Sequence, residues 1–468
     1  MSGADLEIDL PAGAAGGAGP RMDWRAGAGR AVSGRITVPG DKSISHRALM
    51  LAALADGETR IEGFLEGEDT RATAAILAAM GVAIQAPADA VRLVRGVGLH
   101  GLRAPAQALD CGNSGTAMRL LAGLLAGQDF DSVLTGDVSL STRPMRRVVE
   151  PLTTMGARVA ATPAGTAPLS IRGGQCLRGG DHVLPVASAQ VKSALLLAGL
   201  RADGPVRMRE PHATRDYTES MLRAFGVDIE TDASGWISLQ PPARLLSPGR
   251  IEVPADFSSA AFFLVAASVV PGSELAIECV GLNPRRTGLL DSLLDMGADI
   301  AIGNRREAGG ETVADLHVRH APLLGIDVPP ARVPDMIDEF PALFAAAALA
   351  EGETRIAGAA ELRVKESDRI AVMAAGLRVL GIAIEERPDG AVIRGGRPRG
   401  GVRLDSAGDH RCAMALAVLA QAAPAPVTIG DCANVATSFP GFVELAAAVG
   451  LELAPGQSFH ARGDRLRR

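Results

Sequence analysis

The chain has 468 residues, 47% of them hydrophobic and 21% charged, with a formal net charge of −6; one core rarely grows so large, so two domains are expected. Aromatic residues are only 3%, which leaves Ala, Leu, Val and Ile to build the interior and argues against a surface that stacks on nucleic-acid bases, while the acidic balance argues against a general polyanion-binding face. No run of 18 apolar residues suggests a membrane span, and five scattered cysteines without a CxxC, beside eight histidines without HExxH, point to reduced thiols and no metal centre.

Residues 1–31 are rich in Gly and Ala and carry acids near the start. They lack the basic and apolar regions of a secretory signal, so a disordered tail on a cytoplasmic protein is predicted. A strand, RITVPG at 35–40, comes next. From there a unit recurs roughly every 70–85 residues in about six copies. Each copy opens an Ala/Leu-rich helix with a short polar segment: DKSISHRA from 41, GNSGTAMR from 112, ASAQVKSA from 187, DFSSAAFF from 256, DEFPALFA from 338 and GDHRCAMA from 408. A second helix follows and ends at an apolar residue and glycine: Met80-Gly81, Met155-Gly156, Phe225-Gly226, Met296-Gly297, Leu380-Gly381 and Val449-Gly450. Glycine there is the usual left-handed stop of a helix. Short strands such as VAI at 82–84 and ADI at 298–300 come after it.

Each copy therefore reads as a β-α-β-α-β-β unit, and the fold class is α/β (α+β) with two similar domains of three repeats. The predicted boundaries are 32–40 plus 255–460 for one domain and 41–254 for the other, with a basic tail at 461–468. The chain then crosses between domains twice, near Gly40 and Pro254, an arrangement suited to a hinge. The helix starts carry Ser, Asp or Asn as N-caps. If the copies are equivalent, several helix N-termini converge on one cleft and favour anions there.

Cations gather at the same places. Lys42, Arg47, Arg119, Lys192 and Arg411 lie at helix starts, and Arg143, Arg215, Lys365 and Arg369 lie in the segments between. Arginine suits bidentate recognition of carboxylate and phosphate. Their recurrence in an acidic chain implies small ligands with several negative charges. Asp338, in MIDEFP, is either a plain N-cap or a functional acid; Glu366 and Asp368 are either ion-pair partners of their neighbours or chemistry-bearing groups. No GxxxxGK[ST] loop and no GxSxG elbow occurs.

PGDKSISHRALMLAALADGET, GNSGTAMRLLAGLL, GDVSLSTRPM, SAQVKSALLLAGL, RVKESDRI and DHRCAMALAV resemble the 3-phosphoshikimate 1-carboxyvinyltransferases (EPSP synthases), from about residue 32 to about 455. The resemblance implies two domains of three βαβαββ repeats closing on substrate in the cleft between them, and a reaction that joins phosphoenolpyruvate to the 5-hydroxyl of shikimate 3-phosphate in the shikimate pathway. It implies shikimate 3-phosphate contacts from Lys42, Ser43, Arg47, Ser188, Ala189, Gln190, Arg215, Asp338 and Lys365. It implies phosphoenolpyruvate contacts from Lys42, Asn113, Gly115, Arg143, Gln190, Arg369, His410 and Arg411, and proton transfer by Asp338, Glu366 and Lys42. No cofactor, metal, nucleic acid or membrane partner is implied; a monomer inhibited by glyphosate is.

Three positions depart from the common family pattern: Thr437 where many members have lysine, Glu361 where many have asparagine, and Arg215 where others have a Ser/Tyr segment. Two alternatives remain at this stage. A UDP-N-acetylglucosamine enolpyruvyl transferase resembles this pattern but usually carries a catalytic cysteine in a mobile loop, and no cysteine occurs between Gly112 and Gln175. A non-catalytic binder of phosphorylated metabolites would need the cations but not the Asp338–Glu366 pair.

Overall fold

A computed structural model of the protein describes residues 22–456. Two separate hydrophobic cores organise it, one drawn from Ile44 to Val253 and the other from residues 24–38 together with 255–453. At the centre of each core stand three helices buried along almost their whole length. They are Lys42–Leu54, Gly115–Ala126 and Ala189–Gly199 in one half, and Phe257–Val269, Phe340–Leu349 and His410–Ala420 in the other. Helices apolar all round have to be enclosed. Second helices such as Glu68–Ala79 and Arg369–Val379 bury only one side. All six glycines that follow the second helices have positive φ, between 80° and 103°, a conformation that costs glycine nothing.

Five of the six repeat sheets are four-stranded and mixed, with one parallel pair and the rest antiparallel, while that of Glu353–Ile356, Gly390–Arg394 and Ala383–Arg387 is three-stranded and antiparallel, its parallel neighbour reduced to isolated bridges at Leu324 and Asp327. The sheet of Leu109–Asp110, Ser132–Thr135, Leu169–Arg172 and Arg158–Ala160 is built wholly from contiguous chain. Others borrow strands. Arg250–Glu252 returns to pair parallel with Glu58–Glu62 and completes the first sheet of its half. Ser33–Ile36 pairs parallel with Glu274–Gly281 in the other half.

The last sheet corrects the expectation of a disordered segment up to residue 31. Residues 24–26 form a strand, Trp24–Ala26, inserted between Val427–Gly430 and Leu453–Pro455. Among the described residues the final repeat supplies three strands of this sheet, Arg403–Asp405, Val427–Gly430 and Leu453–Pro455, and this early segment is the fourth. Trp24 is buried and stacks on Phe442 with centroids 5.5 Å apart. The first 21 residues and the basic segment 461–468, both expected to be tails, lie outside the described residues.

The two chain crossovers run side by side. Asp41 N–H donates to Pro254 carbonyl at 2.8 Å and Asp256 N–H to Pro39 carbonyl at 2.9 Å. The packing is tight enough that a Cβ on Gly40 would stand 1.8 Å from the Gly63 carbonyl oxygen.

Candidate active site

Helix starts build the site. Ser114 and Ser188 cap their helices through side-chain oxygens that accept from Ala117 and Val191 N–H, and Asp41 and Asp409 do the same for Ile44 and for Arg411 and Cys412. At the helix beginning with Phe340 the N-cap is Glu339, and no side chain caps it. Asp338 lies one residue earlier, which leaves its carboxylate free to face the cleft. That observation removes the plain N-cap reading of Asp338.

The cleft between the halves has a volume of about 420 Å³. One half lines it with Lys42, Ser43, Arg47, Gly115, Arg119, Arg143, Ser188, Ala189, Gln190 and Arg215; the other brings Asp338, Lys365, Glu366, His410 and Arg411. Two expected residues stand a layer back. Asn113 accepts from Arg143 Nη2 at 2.6 Å. Arg369 is 1% exposed and donates to Asp409 at 2.8 Å and to Glu366 at 2.5 Å.

Lys192 does not join the helix-start cations. It is the fourth residue of its helix and points into its own half, between Glu219 at 2.8 Å and Glu210 at 3.0 Å. Thr437 is buried outside the cleft lining, its hydroxyl donating to the Asn434 carbonyl at 2.7 Å.

Opposite charges meet across the cleft. Arg215 Nη2 lies 2.9 Å from Asp338 Oδ2, Arg147 Nη1 2.6 Å from Glu361 Oε1, and Arg143 Nη1 3.8 Å from Glu366 Oε1. Asp338 Oδ1 is also 3.4 Å from Lys365 and 3.5 Å from Arg369. Burial alone would raise the Asp338 pKa, but Lys365, Arg215, Arg411 and Arg369 hold it well below the usual carboxylate range. Glu366 is likewise held low against its burial, by Arg369, Arg143 and Lys42. Both acids are ionised here. Burial, reinforced by Lys42, pushes His410 down to about 3, so its imidazole is neutral.

Sequence reasoning missed several of these groups. Asp69 holds Lys42 Nζ at 2.6 Å, yet it stands in the acidic first turn of a helix, where an acid needs no further explanation. Arg119 had been noted only as a helix-start cation. It donates to Gln190 at 2.7 Å, which in turn donates to Thr116 at 3.0 Å. Tyr217 and Arg286 also line the cleft, and no local pattern marks either one.

The fold and its cleft define a protein that brings two halves together around small, multiply charged anions, with two ionised carboxylates among the cations. The family model of EPSP synthase (3-phosphoshikimate 1-carboxyvinyltransferase) matches residues 27–445. A 3-phosphoshikimate 1-carboxyvinyltransferase of Xanthomonas axonopodis pv. citri is 63% identical over 430 residues, 92% of this chain and 97% of its own; that of Xanthomonas campestris pv. campestris (strain B100) is 61% identical over 92% and 98%. Among solved structures, EPSP synthase from Acinetobacter baumannii superimposes with a TM-score of 0.83 at 50% identity, over 94% of this chain and all of that one. The enolpyruvyl transferase NikO from Streptomyces tendae shares the fold at 19% identity, with a TM-score of 0.76 over 93% and 99%. The chain belongs to the EPSP synthase family. Among the described residues no helix is long and apolar enough to cross a membrane.

Proposed function

We propose that the protein transfers the enolpyruvyl group of phosphoenolpyruvate to the 5-hydroxyl of shikimate 3-phosphate, with release of inorganic phosphate. The observation that carries this is the pairing of Asp338 and Glu366, both ionised and both surrounded by cations from the two halves. A binder of phosphorylated metabolites needs the cations; it does not need two carboxylates at the heart of an anion site, where they oppose binding.

Shikimate 3-phosphate lies against Lys42, Ser43, Arg47, Ser188, Ala189, Gln190, Arg215 and Lys365 in this reading. Phosphoenolpyruvate lies against Lys42, Gly115, Arg143, Gln190, His410 and Arg411, with Asn113 and Arg369 acting through Arg143 and Glu366. The hydroxyl oxygen attacks C2 of phosphoenolpyruvate and its proton goes to Asp338, while C3 receives a proton from the Glu366–Lys42 side. The tetrahedral adduct then loses that C3 proton, the bond from C2 to the phosphate oxygen breaks, and phosphate departs.

A carboxylate held as low as Asp338 is a poor base while Arg215 and Lys365 grip it. Binding of a 3-phosphate draws those cations away, raises the Asp338 pKa and readies it for the hydroxyl proton. The arginines and converging helix starts stabilise the charge of the adduct. No metal or cofactor takes part. The protein acts as a monomer in the cytoplasm, and glyphosate competes for the phosphoenolpyruvate site.

Phosphate release measured with both substrates together, and with each alone, tests the reaction. Asp338→Ala should keep shikimate 3-phosphate affinity within about tenfold and lose turnover by about 10²-fold or more. Near-native turnover in that variant would remove Asp338 from the chemistry.

A further inference from the structure

A buried chain of polar contacts leads from the double crossover to the cleft. Each crossover is followed at once by an aspartate that caps the next helix, Asp41 before Lys42 and Asp256 before Phe257. Arg286 reaches between them. Its Nη2 donates to Asp256 Oδ1 at 2.8 Å, and its Nε stands 3.7 Å from Asp41 Oδ2. The same Nη2 donates to Ser258 Oγ at 2.6 Å, and the Ser258 hydroxyl donates to the Glu339 carboxylate. Glu339 Oε1 lies 3.5 Å from Arg411 Nη1, which also donates to the Asp338 carbonyl at 3.1 Å. Every residue in the chain of contacts from Asp41 to Arg411 is at most 9% exposed. Such a network holds its members in one geometry because water cannot replace a lost partner.

We propose that Arg286 is a positioning residue for the reaction: it ties both crossovers to Glu339 through Ser258, and through Glu339 it sets Arg411 toward phosphoenolpyruvate. The inference rests on the reading of Arg411 as a phosphoenolpyruvate contact. Three buried carboxyl groups, those of Asp41, Asp256 and Glu339, share two guanidiniums, Arg286 and Arg411. Without Arg286 the acids draw Arg411 back from the cleft, and the cosubstrate it faces loses a partner. Shikimate 3-phosphate is affected less, because Arg47 is anchored separately, donating to Thr218 at 2.7 Å and to Ser193 at 2.6 Å in the opposite half.

Steady-state kinetics on folded Arg286→Met, Arg286→Lys, Ser258→Ala and Arg411→Gln, each checked by thermal melting, test this. The KM for phosphoenolpyruvate should rise about tenfold in Arg286→Met and about threefold in Ser258→Ala, be partly restored in Arg286→Lys, and leave the KM for shikimate 3-phosphate within about twofold. A merely structural role lowers the melting temperature and the active fraction but changes neither KM, and that outcome overturns the proposal. Ser258→Ala removes one oxygen from a helix start and suffices if Arg286→Met does not fold: an unchanged KM for phosphoenolpyruvate in it overturns the proposal as well. If Arg411→Gln leaves that KM unchanged, the assignment of Arg411 fails and takes the inference with it. If Arg411→Gln raises the KM and the other three variants do not, only the role of Arg286 falls.

Discussion

A methyl group on Gly115 would meet Arg119 Nη1 at 2.9 Å and Arg143 Nη1 at 3.2 Å. Both are the far ends of flexible side chains that line the cleft, so alanine fits once the guanidiniums move a few tenths of an ångström, which alters the space there. Under the proposed competition for this site, glyphosate, which is longer than phosphoenolpyruvate, would feel that change first. Gly115→Ala should raise the glyphosate inhibition constant about tenfold or more and the KM for phosphoenolpyruvate by less than about threefold. Equal inhibition constants for the two proteins would show that Gly115 does not set the space. At this scale much of the cleft lining was legible: Lys42 and Arg411 lie at helix starts, while Arg143 and Gln190 were reached through the resemblance of the motifs that hold them. Asp338 was ambiguous for a physical reason: capping and catalysis both ask for an acid just before a helix. Arg286 and Asp69 were not legible at all. Arg286 reaches Asp41 and Asp256 across long stretches of sequence, and no local pattern encodes such a contact.

Among the elements, the strand Trp24–Ala26 shows where local patterning gives out. Three residues carry no measurable period, and glycines and alanines on either side read as unstructured chain. What recruits them is a vacancy in a sheet whose other strands begin at Arg403. The repeated glycine after each second helix was legible, since its conformation is decided within one turn of chain. Trp24 stacks on Phe442, which also lies 5.2 Å from Phe439 and 5.8 Å from Phe263 between ring centroids. Trp24→Ala should therefore cost about 3–5 kcal/mol, read as a lower urea midpoint, with the loss falling on the half that contains His410 and Arg411. A loss under about 1 kcal/mol, the scale of an ordinary exposed substitution, would mean that the strand is not part of that core.

Across the whole molecule, the buried acids near the crossovers make stability depend on pH. Burial, with the Asp41 charge, pushes Asp256 up to about 8, and burial pushes Glu311 up to about 7, against ordinary values of 3.8 and 4.5. The folded state keeps protons that the unfolded chain has released. This contribution is full below the ordinary carboxylate values and is lost as pH rises through about 7 and then about 8. His46 and His410, whose pKa values burial lowers from 6.5, work in the opposite sense only below pH 6.5. Between pH 6.5 and about 8.5 the melting temperature should fall, and in Asp256→Asn it should fall less. A wild-type melting temperature that rises over this interval would contradict the assignment. The cleft cations are paired, since Arg215, Arg147 and Arg143 each face a carboxylate from the other half. Anionic substrates compete for those cations. The borrowed strands have a further consequence, for the order in which the protein is made. Synthesis runs from the N-terminus, so the half holding residues 41–253 has all its strands once Arg250–Glu252 is out of the ribosome. Its partner half waits longer for pieces that bracket the first in time: Trp24, translated before that half, pairs with Ile429 and Pro455, translated well after it.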